Sequence, residues 1–199
     1  KKIIVTIMCI CFLFTNISYV IADNTDNEDI NVYEIIQTCS KNVDKQPEIQ
    51  SKIAVAYDRT SGRVIWGKDE NKRSAMASTT KIMTAIVTLE NANLDDIVTV
   101  SSKAAWTGGS SLNLKTGDKV KLNDLLYGLM LRSGNDAAVA IAEYVGGSVE
   151  GFADLMNQKA EQMGLVDTHF VTPHGLDDPN HYTTAKELAI MADYAMGNE

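Results

Sequence analysis

The chain has 199 residues, with 18 Lys and Arg against 26 Asp and Glu, three Cys, 45% apolar residues and a formal net charge of -8. That acidic balance excludes a nucleic-acid binder that works by neutralising phosphates with a basic face. Three Cys are too few for a disulfide-stapled mini-protein, and so apolar a chain is not disordered.

In chain order, Lys1 and Lys2 precede an apolar run from Ile3 to Phe14, and Val20 and Ala22 stand at the spacing of a signal-peptidase site. A basic start, a short apolar run and a small-residue site predict a secretory signal over residues 1–22, and with it export. The alternative, a membrane anchor, needs about 20 apolar residues, more than this run supplies. Cys9 and Cys11 fall within the signal, so Cys39 is left without an internal partner and reads as an inert thiol. Residues 23–50 are rich in Asp, Asn, Glu and Lys and read as a polar lead-in, with a short helix expected around Val32 to Gln37.

A globular domain is expected over 51–199. Ile53, Val55 and Tyr57 alternate, Arg59-Thr60-Ser61-Gly62 turns, and Val64-Ile65-Trp66 follows, which predicts a β-hairpin. After a polar connection (67–73), Ile82, Ile86 and Leu89 recur at helical spacing. Further helices are expected from Asp124 to Leu131, from Asp136 to Val145 (Ala-rich and therefore buried), and from a Ser148 cap to Met163, stopped by Gly164. Thr184 with Glu187 makes a capping box that opens a last helix.

The chemistry starts at Ser78-Thr79-Thr80-Lys81. Residues three apart on a helix share a face, so a hydroxyl and an amine here can share a proton. A Ser at a helix N-terminus also lies near free backbone N–H groups that stabilise an oxyanion. The set suits a Ser nucleophile with Lys as base, provided that burial or a nearby cation strips the Lys of its proton. Taken alone, S-x-x-K is a common tetrapeptide, and Ser78 could serve simply as an N-cap. The second element is Ser133-Gly134-Asn135, whose hydroxyl could relay a proton and whose amide could hold a carbonyl. The bland reading is a turn with Asn135 left-handed and Asp136 opening the next helix. Ser111-Leu112-Asn113 repeats the same S-x-N letters.

The order S-x-x-K, then S-x-N roughly 50 to 60 residues on, resembles the serine penicillin-recognising enzymes. The flanks narrow this. Ala77 through Thr84, Leu131 through Ala138, Gly109-Ser110-Ser111 with Gly117-Asp118, and Met163-Gly164-Leu165, Thr168-His169-Phe170, His174-Gly175-Leu176 and His181 through Ala185 resemble the serine-type D-alanyl-D-alanine carboxypeptidases, the S11 peptidases or low-molecular-mass penicillin-binding proteins. The likeness spans about residues 48–196. It implies an α/β (α+β) fold of the β-lactamase and penicillin-binding transpeptidase type, an antiparallel sheet packed with a helical subdomain, the sheet incomplete in this chain.

It further implies that Ser78 attacks the D-Ala–D-Ala carbonyl of peptidoglycan pentapeptides to form an acyl-enzyme. Lys81 would take its proton, Ser133 would protonate the departing D-Ala, and Asn135 would position Lys81 and the substrate. β-Lactams would acylate the same Ser78, and no metal or cofactor is called for. The flanks place Ser111 in the intervening stretch, so Ser133 takes the catalytic place.

The family's third motif, K-T-G on a strand, follows the second. Lys115-Thr116-Gly117 precedes Ser133 instead and reads as a coincidence, so the true motif is expected beyond Glu199. The resemblance leaves a C-terminal membrane anchor open for the same end. Two alternatives stand beside the carboxypeptidase: a serine β-lactamase, for which Glu161 is the candidate water-activating acid, and a non-catalytic wall- or penicillin-binding protein or inactive fragment. His169, His174 and His181 cluster with Asp177 and Asp178, but their spacing matches no common zinc pattern. Trp66, Trp106 and Tyr127 are expected in the core or on the cleft wall.

Overall fold

The computed structural model describes residues 47–197. The chain divides into two units, 1–49 and 50–199, and the description below concerns the second. The expected signal, the short helix near residue 32 and all three Cys lie outside the described residues.

Strands β1 (Ala54–Asp58) and β2 (Arg63–Lys68) form the expected antiparallel hairpin. Its register slips between Ala56, opposite Trp66, and Tyr57, opposite Val64. Ile65 is therefore the extra residue of a bulge, and it is exposed. A 3-10 turn over Ala77–Thr80 leads directly into α1 (Lys81–Asn91). Then come β3 (Ile97–Thr99), a single turn α2 (Ser102–Ala105), β4 (Lys119–Lys121), α3 (Leu122–Arg132), α4 (Asn135–Gly146), α5 (Val149–Gln162) and α6 (Ala185–Met196). Strand β3 pairs antiparallel with β4, so the strands among the described residues form two separate two-stranded ribbons. This second ribbon and α2 escape the sequence pattern because three- and four-residue elements are too short to show a period. Ser101 caps α2, its Oγ accepting from Ala104 N at 3.0 Å and donating to Glu143 Oε2 at 2.5 Å.

Helix α4 is the centre of the body. Residues 135–142 are all buried, and α1, α2, α3, α5 and β3 pack around it. Its Ala residues make this possible, since short side chains let five neighbours approach one axis. The larger core side chains come from those neighbours: Met83 and Ile86 of α1, Leu122, Leu125 and Leu129 of α3, Phe152 and Met156 of α5. Met191 carries α6 onto the same core, and the hairpin packs on α6.

Ser148 caps α5, its Oγ accepting from Gly151 N at 2.9 Å. Thr184 caps α6 in the same way, through Glu187 N at 3.1 Å. The capping box is only half made, however. The Glu187 carboxylate turns inward, buried, and accepts from Asp167 N and from Thr168 Oγ1 at 2.6 Å. It ties the loop after α5 to α6 instead of closing back on Thr184. Trp106 and Tyr127 are exposed and Trp66 is half-buried, so none of the three belongs to the core. No helix among the described residues is long and apolar enough to cross a membrane.

Candidate active site

The 3-10 turn decides how Ser78 meets Lys81. In a 3-10 helix residues three apart eclipse, so both side chains project from one edge. The residue at the N-cap place is Met76, which has no side-chain cap bond, so Ser78 is not a cap. Ala77, just before it, has φ 45, a conformation that costs a non-glycine residue on the order of 1–3 kcal/mol and persists only where surroundings enforce it. Ser78 is exposed, whereas Lys81 keeps only 3% of its surface.

Lys81 Nζ donates to three oxygens: Ser78 Oγ at 3.4 Å, Asn135 Oδ1 at 2.8 Å and the His174 carbonyl at 2.9 Å. None is a carboxylate. Burial with only neutral acceptors disfavours the ammonium form and pushes the Lys81 pKa down from 10.5 to about 8.

The second bend is made where α3 ends and α4 begins. Ser133 terminates α3 with φ 54 and ψ 34, and Asn135 is already the first residue of α4. The left-handed residue of this turn is thus Ser133, not Asn135, because the chain must reverse before the new helix starts. The Ser133 Oγ is buried and has no hydrogen-bond partner among the described residues. Asn135 is held at both ends of its amide: Oδ1 accepts from Lys81, and Nδ2 donates to the Gly108 carbonyl at 2.8 Å. Its backbone N–H donates to the Ser110 carbonyl at 2.7 Å. At Gly109 (φ +88) a Cβ would lie 2.5 Å from Asn135 Nδ2, so only glycine lets the loop close on this amide.

Ser111 is occupied elsewhere. Its Oγ donates to Asp136 Oδ2 at 2.7 Å, and the same fully buried carboxylate accepts from the backbone N–H groups of Leu112, Leu114 and Ala137. Burial alone would raise the Asp136 pKa, but these hydrogen bonds together outweigh it and hold the carboxyl below 3.8. Asp136 pins the 110–114 loop to the head of α4, which sets Asn135.

The third part of the site comes from residues 172–184, which the family likeness marks. Thr84 Oγ1 donates to the Pro173 carbonyl at 2.6 Å, next to the Lys81 contact with His174. Gly175 (φ +85) lies so close to the bend before Ser78 that a Cβ there would stand 1.9 Å from the Ala77 carbonyl oxygen. The three His residues serve separate partners. His169 Nδ1 meets the Asn180 carbonyl, His174 Nδ1 accepts from Leu176 N, and His181 Nε2 meets Thr80 Oγ1. Among the described residues no group of three or more His, Cys, Asp or Glu could hold a metal ion. Lys115-Thr116-Gly117 forms an exposed turn in which Lys115 N donates to Asp118 Oδ2, and Gly117 N to the Val100 carbonyl.

Ser78, Lys81 and Asn135 are therefore joined in one hydrogen-bonded chain, with Ser133 two residues from Asn135 and its hydroxyl unclaimed. An exposed hydroxyl next to a buried amine of lowered pKa is an arrangement suited to nucleophilic attack.

Comparison with known proteins gives the same frame. Residues 17–199 match the Peptidase S11 family, described as D-alanyl-D-alanine carboxypeptidase. The chain is 41% identical over 148 residues to D-alanyl-D-alanine carboxypeptidase DacF of Bacillus subtilis, covering 72% of this chain and 38% of that one. It is 40% identical over 157 residues to DacD of Escherichia coli, covering 73% and 40%. The crystal structure of penicillin binding protein 6B from Escherichia coli superposes with a TM-score of 0.73 at 38% identity, covering 78% of this chain and 52% of that one. That of DacD from Francisella tularensis superposes with a TM-score of 0.73 at 37% identity. The fold is that of these penicillin-binding peptidases, the β-lactamase-like fold. The chain spans about two fifths of the length of the curated relatives it matches. With a matching family model over most of its residues and the same fold, the chain belongs to the D-alanyl-D-alanine carboxypeptidase family, peptidase S11.

Proposed function

We propose that these residues form the acylating centre of a serine D-alanyl-D-alanine carboxypeptidase that acts outside the cytoplasmic membrane on peptidoglycan pentapeptides and binds β-lactams. The observation that carries this reading is Lys81: buried, bonded to Ser78, Asn135 and a carbonyl, and paired with no carboxylate among the described residues. In its neutral form Lys81 Nζ accepts the Ser78 proton as Oγ attacks the penultimate D-Ala carbonyl. Ser133 Oγ, buried and without a partner among the described residues, relays that proton from Lys81 to the departing D-Ala amine. Asn135, anchored by the Gly108 carbonyl, keeps Lys81 aimed at Ser78. Water then releases the shortened peptide from the acyl-enzyme.

A β-lactamase needs a carboxylate to activate the deacylating water. Glu161 sits exposed at the C-terminal end of α5, and no carboxylate among the described residues bonds to Ser78, Lys81 or Asn135. This favours slow release of penicillin over turnover. The test is fluorescent-penicillin labelling of the full-length protein with D-Ala release from a D-Ala–D-Ala peptide. The wild type is expected to label at Ser78 and release D-Ala, and Ser78→Ala to do neither. Labelling that persists in Ser78→Ala overturns the nucleophile. Fast penicillin turnover without D-Ala release overturns the substrate.

A further inference from the structure

Two buried polar groups, His181 and Thr80, lie behind the nucleophile without touching it. The His181 ring is 3% exposed and Thr80 is fully buried. The hydrogen count around them closes in only one way. Nδ1 of His181 accepts from the backbone N–H of Val171 at 3.0 Å and of Thr172 at 3.4 Å, so it carries no proton. A neutral ring then bears its proton on Nε2, 2.7 Å from Thr80 Oγ1. The Thr80 hydroxyl in turn donates to the Ala77 carbonyl at 2.8 Å. That carbonyl belongs to the residue at φ 45 just before Ser78, and Gly175 walls its other side.

We propose that His181 and Thr80 are positioning residues for the nucleophile: an Nε2–H of His181 donates to Thr80, whose hydroxyl donates to the Ala77 carbonyl, and this relay holds the bend that presents Ser78. The inference rests on reading Ser78 as the nucleophile. The ring is mounted on the 169–182 loop, not on α1. The backbone N–H of His181 donates to the Asp178 carbonyl, the edge of the ring meets Phe170, and His169 and Tyr182 are bridged beside it. The relay therefore fastens the bend before Ser78 to the same loop whose His174 carbonyl holds Lys81. Burial lowers the His181 pKa, opposed by Asp178 and aided by His169, which keeps the ring neutral as the relay requires.

The test uses the full-length wild type, Thr80→Val, Thr80→Ser and His181→Leu, reading the second-order rate of Ser78 acylation by fluorescent penicillin and the melting temperature. Thr80→Val and His181→Leu are expected to acylate about tenfold to a hundredfold more slowly, as misplacement of a reacting atom does. Thr80→Ser, which keeps the hydroxyl and loses the methyl, is expected to stay within about threefold of wild type. A Thr80→Val rate equal to wild type, or a Thr80→Ser rate as low as that of Thr80→Val, overturns the relay. If Thr80→Val does not fold, the ring nitrogens of wild-type His181 decide by nitrogen NMR: an Nε2–H tautomer supports the relay and an Nδ1–H tautomer overturns it. Absence of wild-type labelling at Ser78 is a separate outcome, which sinks the reading of the nucleophile.

Discussion

Ala77 and Ser133 both sit at positive φ, and each bend brings a hydroxyl to the site, yet the two are braced by different chemistry. The bend before Ser78 is held by neutral groups: the Thr80 hydroxyl, the His181 ring and the bare Cα of Gly175. The bend at Ser133 is followed by a buried carboxylate, Asp136, that gathers three backbone N–H groups and the Ser111 hydroxyl. Neutral bracing is needed on the first side because Lys81 lies there. A carboxylate within a few ångströms would hold its ammonium form and remove the proposed base. On the second side the negative charge is spent on backbone N–H groups, and at that helix start the dipole favours it too. The exposures differ to match, with Ser78 exposed and Ser133 Oγ enclosed.

The contrast can be broken most severely at Lys81. Lys81→Arg keeps the charge but cannot give up its proton, and acylation by penicillin is expected to fall about a thousandfold, the weight of a lost general base. In the wild type the acylation rate should rise with pH as Lys81 deprotonates, with a midpoint near 8. His174, pushed down to about 4 by burial, the Lys81 charge and His181, is already neutral there and cannot supply that limb. A rate that is flat between pH 6 and 9 would remove Lys81 as the base.

The next largest effect is expected at Gly175. Gly175→Ala places a Cβ against the Ala77 carbonyl at a φ that only glycine adopts freely. Shifting the Ser78 bend by a fraction of an ångström should slow acylation about a hundredfold. Wild-type rates in Gly175→Ala would show that the bend is not what sets Ser78.

On the charged side, Asp136→Asn retains the shape but leaves some of the gathered N–H groups unpaired. A loss of about 1.5–3 kcal/mol in denaturant unfolding is expected, with acylation reduced less than in Gly175→Ala. An unchanged midpoint would mean that the 110–114 loop is held by other contacts.

The smallest and most discriminating effect is in acid. Both braces have folded pKa values below their ordinary ones, so each stabilises the fold above its unfolded pKa and loses that contribution as pH falls through the folded one. For His181 the loss begins below 6.5, and for Asp136 only below 3.8. Hydrogen exchange at Ala77–Thr80 should therefore quicken at a higher pH than exchange at Leu112 and Leu114. The reverse order would exchange the roles of the two braces.

Much of this was legible along the chain. Helix α4 was marked by its Ala-rich run, α5 by Ser148 and Gly164, and the hairpin by its alternation and its turn at 59–62. Ser78, Lys81, Ser133 and Asn135 stood out by motif and flank. Ribbon β3–β4 and α2 were not legible, being shorter than the periods that would reveal them. Glu187 illustrates the limit of local rules. Its spacing from Thr184 is that of a capping box, but burial beside Thr168 gave its carboxylate other N–H and O–H donors.

By itself the amino-acid sequence determined which side chains are chemically able to act, because nucleophile, base and amide are matters of residue type and of spacing along one helix or turn. Only the tertiary structure decided their state. The lowered pKa of Lys81 arises from burial among Asn135 and His174, 54 and 93 positions away. The left-handed bend before Ser78 is walled by Gly175, and two backbone N–H groups of its own loop fix which nitrogen of His181 is bare. Desolvation and steric contact depend on what packs nearby, and no local pattern encodes what that will be.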